Sequence, residues 1–228
     1  MNRIVSARVR MAVLLICDLI MILWESRALR EIWQESGTRM FRYYTHDSNL
    51  LALLVCVFCA AAGLIALARG KTAMPRALKS LRLLAACGLM ITFSVTAFVN
   101  IPIESGGSLQ RYFHEVESNM LRGNLLYLHT LCPLLLFFSF VFLEKGRPLP
   151  RTHALLILPP TVLYGAITLY KNISHAYGGP YPFFHVYEQP VYMTALWMLL
   201  ILLGAWLISL GLLELNRLLS RNKYSISG

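Results

Sequence analysis

The sequence predicts an all-α integral membrane protein, a single bundle of six transmembrane helices, and two observations support this fold class. Of the 228 residues, 57% are hydrophobic and only 14% are charged, whereas soluble domains carry about 25% charged residues. Uncharged runs long enough to cross a bilayer, about 20 residues, recur along the chain, and charged residues close most of them. We therefore exclude a soluble protein and expect residues 1–228 to form one domain.

The first span is the weakest, because its apolar run contains Asp18. Arginines precede this run as in a signal peptide, but no small-residue cleavage site follows, so we interpret residues 9–30 as a helix. Asp18 and Glu25 lie on one stripe of it, and intramembrane carboxylates normally face the bundle interior or a wet cavity. A structural hydrogen bond and a functional role both remain open for them.

The second span, at about 47–68, follows the polar segment 42–49. Small and polar residues recur in it at intervals of three or four and therefore share one helix face. That face contains Thr45, Asn49, Ala52, Cys56, Cys59 or Ala60, and Gly63. Small residues allow close helix packing in lipid, so we expect this face to point into the bundle.

Four further uncharged runs predict the remaining spans, at about 83–103, 124–143, 153–170 and 190–213. Pro133 and the pair Pro159-Pro160 lack a backbone N–H, so they should open the fourth and fifth of the six helices. The five cysteines all fall inside predicted spans, and we interpret them as packing residues, Cys56-x-x-Cys59 included.

The distribution of basic residues predicts the orientation. Three, five, three and three Lys or Arg residues lie in the segments 1–10, 69–82, 144–151 and 214–228, and the intervening segments hold the other seven of the 21. Basic residues favour the cytoplasmic side, so both termini should lie in the cytoplasm of a cell-membrane protein. The net charge of +10 then reflects contact with anionic lipid headgroups, and we expect no nucleic-acid partner.

Polar side chains concentrate at the predicted outer side, where five of the six histidines lie. A polar outer vestibule over an apolar inner half suits a membrane lipid or fatty-acyl amphiphile, with its head at the interface and its tail among the helices. The side chains that we expect to contact this substrate are Tyr44, Asn49, Asn100, Tyr127 and Tyr170. Asn49, Tyr44 or free backbone N–H groups at the start of the second helix are candidate oxyanion donors.

Thr45 and His129 are the candidate catalytic pair, because both lie at outer helix ends. A threonine hydroxyl needs an adjacent base to become a nucleophile, and a neutral histidine can serve as that base. We expect the two groups to lie within about 3 to 4 Å of each other. The alternatives are that Thr45 caps the second helix and that His129 bonds a backbone carbonyl.

Three short motifs are similar to those of a known family. Tyr44-Thr45, His129-Thr-Leu-Cys-Pro133 and Pro180-Tyr-Pro-Phe183, with the six-span layout, resemble the androgen-induced-gene family and its bacterial six-helix relatives. The resemblance implies an intramembrane hydrolase of fatty acid esters in which Thr45 and His129 react. Asp47-Ser-Asn49 after the threonine looks like the bacterial branch, whose substrates the sequence does not indicate.

Our leading interpretation is a lipid-ester hydrolase that needs no cofactor, with Thr45 as nucleophile and His129 as base. A second is a metal-dependent hydrolase built from His46 and Asp47 with His114 and Glu115 or with His185 and Glu188. A third is a non-enzymatic lipid-binding or transport-accessory protein. The sequence leaves the natural substrate and the oligomeric state open.

Overall fold

A computed structural model describes residues 2–221 of the chain, and side chains for residues 5–220. The described residues are mostly helical and contain no strand, which confirms the all-α prediction. Within them we distinguish seven main helices: α1 Asn2–Ser36, α2 Tyr44–Ala68, α3 Arg76–Ser105, α4 Leu109–Met120, α5 Gly123–Leu143, α6 Arg151–Ile173 and α7 Val191–Arg221. Short 3-10 helices, Gly37–Arg42 and Pro182–Phe184, lie in the connections.

Five of these helices, α2, α3, α5, α6 and α7, are long and apolar enough to cross a membrane. The prediction of a helical multi-pass membrane protein is confirmed in this form. The 35-residue α1 falls outside that group, because Asp18 and Glu25 interrupt its apolar run. The third helix also begins earlier than predicted, at Arg76 instead of residue 83, so part of the expected loop is helical.

The packing of α2 confirms the predicted interior face. Asn49, Ala52, Cys56 and Cys59 are at most 1% exposed, and Gly63 is also buried. Bulky residues on the other side, among them Phe58, remain exposed. All five cysteines carry free thiols, and all but Cys17 are buried in the bundle.

A buried ionic cluster joins three parts of the chain at one end of the bundle. Arg82 of α3 forms ion pairs with Asp18 of α1 and with Glu144, which follows α5, and the Arg82–Glu144 distance is 3.4 Å. Asn216 of α7 donates hydrogen bonds to the carbonyls of Phe140 and Glu144, at 2.8 and 2.7 Å. We call this the lower end of the bundle, and the end at which α2 begins the upper end.

Three helices are irregular near their prolines, and in α3 a π turn at Thr96–Asn100 precedes Pro102. In α5, π-helical turns at Tyr127–Leu131 and Ser139–Leu143 flank the α-helical segment that contains Pro133. In α6, a 3-10 segment, Arg151–Ile157, precedes the α-helix that begins beside Pro159. The first π turn contains His129. Pro133, four residues later, has no N–H that could donate a hydrogen bond to the His129 carbonyl.

Candidate functional site

The start of α2 places Thr45 in the interior of the upper end. The N-cap of this helix is Tyr43, which makes no side-chain capping bond, and Thr45 is the second helical residue. Thr45 is therefore not the N-cap, and its side chain is buried. Its carbonyl accepts hydrogen bonds from the Asn49 amide and the Ser48 hydroxyl, at 2.7 and 3.0 Å. These bonds hold the first turn of α2 without occupying the Thr45 hydroxyl.

The π turn of α5 brings His129 to the Thr45 hydroxyl. His129 Nε2 lies 3.4 Å from Thr45 Oγ1, inside the range expected from the sequence. The Asn49 amide also reaches the Leu128 carbonyl, at 3.4 Å, and so links α2 to α5 beside this pair. Because His129 is buried, the two reactive groups face each other in a site with little exposure to solvent.

The other ring nitrogen of His129 fixes its tautomer. His129 Nδ1 lies 2.6 Å from the backbone carbonyl of Asn119, near the end of α4. A carbonyl oxygen only accepts, so Nδ1 carries the proton, and Nε2 presents a lone pair to Thr45. The last carbonyls of a helix lack intrahelical partners and lie at its negative end, where they stabilise a positively charged imidazolium. This geometry suits a general base.

Tyr181 lies over the start of α2, although sequence reasoning gave it no role in the site. Burial raises the pKa of Tyr181 to about 12, while hydrogen bonds with the Thr45 side chain and with the backbone of Thr45 and Tyr44 act in the opposite direction. The phenol therefore stays neutral at ordinary pH and can donate. The Tyr181 oxygen lies within reach of the backbone N–H groups of Tyr44 and Thr45, which have no partner inside α2.

Two cavities meet at Thr45. One, of about 220 Å³, is lined mainly by apolar side chains of α3, α6 and α7, among them Val95, Val162 and Met198. The other, of about 590 Å³, is lined by many polar groups, including Glu35, His46 and Arg122. Four residues line both cavities: Thr45, Thr96, Asn100 and Tyr181. Thr45, the candidate nucleophile, therefore lies between an apolar cavity and a polar cavity.

The structure brings some of the predicted substrate-contacting residues to this site. Asn100 lines both cavities, and its buried side-chain oxygen has no hydrogen-bond partner among the described residues. Tyr44 lines the apolar cavity and lies 3.4 Å from the Thr161 hydroxyl. Asn49 is fully buried beneath Thr45, where its amide nitrogen bonds backbone carbonyls.

Two predicted residues lie away from Thr45, and like Asn49 they line neither cavity. Tyr127 packs against Trp24 of α1, with ring centroids 5.8 Å apart. Tyr170 is 71% exposed on the surface of α6. Neither side chain contributes to the space around Thr45.

The proposed metal ligands do not assemble into a cluster. Within the described part of the chain, no three His, Cys, Asp or Glu side chains lie close enough together to hold a metal ion. His185 and Glu188 do approach each other, with 3.1 Å between Nδ1 and Oε2, but in an exposed connection. His46 points its Nδ1 at the Met40 carbonyl, 2.9 Å away.

Comparisons with known proteins identify no relative of this chain. A scan against protein-family models found no match, and searches of the curated proteins and of the solved structures also found none. The function must therefore be argued from the site itself.

Proposed function

We propose that the protein is a membrane-embedded hydrolase of a lipid or fatty-acyl ester, with Thr45 as nucleophile and His129 as general base. The observation that carries this proposal is the 3.4 Å contact between Thr45 Oγ1 and His129 Nε2 at the junction of an apolar and a polar cavity. Neither alternative from the sequence accounts for both features.

The reaction proceeds in two halves. Thr45 Oγ1 attacks the acyl carbon while His129 Nε2 takes the hydroxyl proton, and the imidazolium returns that proton to the departing alcohol oxygen. A water molecule from the polar cavity then gives a proton to His129, and its oxygen attacks the acyl-threonine carbon. As the acyl bond to Thr45 breaks, His129 returns this proton to Thr45 Oγ1, which restores the hydroxyl and the neutral imidazole and releases a carboxylic acid. The Asn119 carbonyl stabilises the charged imidazolium in both halves.

Oxyanion stabilisation comes from groups that converge on Thr45. The backbone N–H groups of Tyr44 and Thr45 are free of intrahelical partners, and the neutral Tyr181 phenol lies beside them. Preorganised donors of this kind usually supply the largest share of catalysis in acyl transfer. Asn49, an alternative donor from the sequence, is engaged below Thr45 instead.

The two cavities suit the two parts of such a substrate. The acyl tail fits the apolar cavity, which reaches the surface of α6 at the exposed residues Val162 and Ala166. A lipid can therefore enter sideways from the bilayer, with its ester at Thr45 and its head in the polar cavity. At the junction, the side-chain oxygen of Asn100 has no hydrogen-bond partner within the described part of the chain, so it could contact the polar part of such a substrate.

The proposed topology has six spans, with both termini cytoplasmic, in the cell membrane. Support for α1 as a span comes from two levels of the helix: Asp18, near its middle, pairs with Arg82 toward the lower end of the bundle, while Ile32 and Glu35 line the polar cavity at the upper end. The excess of basic residues in alternate segments places the lower end inside. The site then opens toward the outside.

A second candidate function is non-enzymatic lipid binding, which the apolar cavity alone would serve. The paired nucleophile and base favour hydrolysis over this alternative. Their motifs also resemble those of the androgen-induced-gene family, which supports the same chemistry.

The test is covalent labelling of the purified protein with a tagged fluorophosphonate, followed by peptide mapping. We expect an adduct on Thr45 that is absent in Thr45→Ala and strongly reduced in His129→Ala. Turnover of acyl esters of increasing chain length, measured in parallel, should depend on the same two residues. Labelling elsewhere with no loss of turnover in Thr45→Ala would reject the proposal.

A further inference from the structure

Helix α4, Leu109–Met120, carries an apolar edge that remains exposed among the described residues. Leu109 and Phe113, one turn apart, are 70% and 62% exposed, and Leu121 just beyond the helix is 51% exposed. Exposed polar residues lie on the other side of the helix at Arg111 and Ser118, while His114 and Glu117 border the apolar edge. A helix that is apolar on one side and polar on the other suits the boundary between lipid and water.

The position of α4 places it at such a boundary. Only residues 106–108 separate it from the end of α3, and it packs against the last turn of α3, Ile101–Ser105. Near its end α3 exposes Phe98 and Ile103, which are 71% and 43% accessible on the surface of a membrane-spanning helix. The exposed edge of α4 therefore continues a surface that faces lipid.

We propose that the edge formed by Leu109 and Phe113 docks on the lipid surface at the upper end of the bundle. The phenyl ring enters the boundary of the acyl chains, while Arg111 and Ser118 face water and headgroups. A lipid surface fits this edge better than a protein partner. Two apolar side chains are far short of the roughly 1,000 Å² that a stable protein interface buries.

This docking has a consequence for the site, because the end of α4 holds α5. The carbonyl of Asn119 accepts from His129, and the carbonyl of Met120 accepts from the Thr130 hydroxyl at 2.7 Å. A helix anchored in the interface keeps these carbonyls in place and so fixes the His129 tautomer. This consequence rests on the proposed hydrolysis, whereas the docking itself does not.

Spin labelling tests the docking without any activity measurement. Nitroxides are attached to Phe113→Cys and, as the matched control on the polar side of the same helix, to Ser118→Cys. Both residues are exposed, so neither change disturbs the packed core. The full chain is reconstituted into phosphatidylcholine vesicles, and labelled wild-type protein gives the background from the native cysteines.

The measured quantity is the collision rate of each nitroxide with oxygen, which concentrates in lipid, and with a water-soluble nickel chelate. We expect a reversal between the two sites, with oxygen favoured at Phe113→Cys and the nickel chelate favoured at Ser118→Cys. Strong nickel access at both sites would place α4 in water and overturn the proposal. Protection of Phe113→Cys from both reagents would overturn it too, because a second copy or another protein would then cover the edge.

Discussion

Replacement of Thr45 by alanine should abolish ester hydrolysis and leave the folded protein almost unchanged. The Thr45 hydroxyl does not cap α2, and its 3.4 Å contact with His129 is long for a hydrogen bond. Its loss should therefore lower the free energy of unfolding by about 1 kcal/mol or less. Removal of a nucleophile instead lowers kcat by about 10⁴- to 10⁶-fold, which corresponds to about 5 to 8 kcal/mol of activation free energy.

The double variant distinguishes a shared catalytic step from two independent effects. If Thr45 and His129 act in one step, the Thr45→Ala/His129→Ala double variant should lose little more activity than either single variant. Thr45→Ser keeps a hydroxyl and should retain measurable turnover. Thr45→Val keeps the shape of the side chain but should be as inactive as alanine, which separates loss of chemistry from loss of packing.

The assay is hydrolysis of a series of acyl esters by purified protein in detergent, with thermal unfolding of every variant measured alongside. Wild-type turnover in Thr45→Ala would contradict the nucleophile role. So would losses of the single variants that multiply in the double variant, or activity that falls only in step with the melting temperature. Any of these results would assign both residues a structural role.

Four further outcomes follow from the same structure. Tyr181→Phe removes a donor near Thr45 and should lower kcat about 100-fold with little change in KM; an effect on KM alone would contradict the oxyanion role. Arg82→Met leaves two carboxylates buried without their cation and should destabilise the fold by about 3 to 5 kcal/mol, so an unchanged melting temperature would count against the ionic cluster. Ala166→Trp narrows the apolar cavity and should depress turnover of long acyl chains more than short ones, whereas Ile173→Trp, exposed and outside that cavity, should leave the chain-length profile intact. A reporter fused after Gly228 should lie on the cytoplasmic side, and activity of that reporter only across the membrane would reject the proposed topology.

The sequence predicted the helices well where burial repeats with the period of a helix. The interior face of α2 could be assigned because Asn49, Cys56 and Gly63 recur at its period, and all three are buried. The start of α3 could not be assigned in this way, because the charged residues before position 83 predict a loop, whereas the helix begins at Arg76. Arg82 is buried against its partner Asp18, which lies 64 positions away in the sequence, and a local pattern carries no information on such a pairing.

The site was only partly predictable for a related reason. Thr45 and His129 are 84 positions apart, and their chemical complementarity, more than any periodicity, indicated the pair. The Asn119 acceptor is a backbone carbonyl, which has no side-chain signature. Tyr170 follows the buried Thr168 by two residues, about 200° around α6, and so faces outward, away from the space around Thr45. The motif around Tyr181 was visible, but its contact with α2 depends on tertiary folding.

The two ends of the bundle use buried polarity in different ways, and this difference explains where a substrate can bind. At the lower end Arg82 holds opposite charges together, and separating such partners in the interior costs several kcal/mol. At the upper end the groups around Thr45 are neutral, and exchanging one neutral hydrogen bond for another costs about 1 kcal/mol or less. A ligand can therefore take over contacts of Tyr181 and satisfy the free oxygen of Asn100 without opening the bundle. Under the proposed function, ligand exchange is confined to the upper end, while the ionic cluster keeps the helices together beneath it.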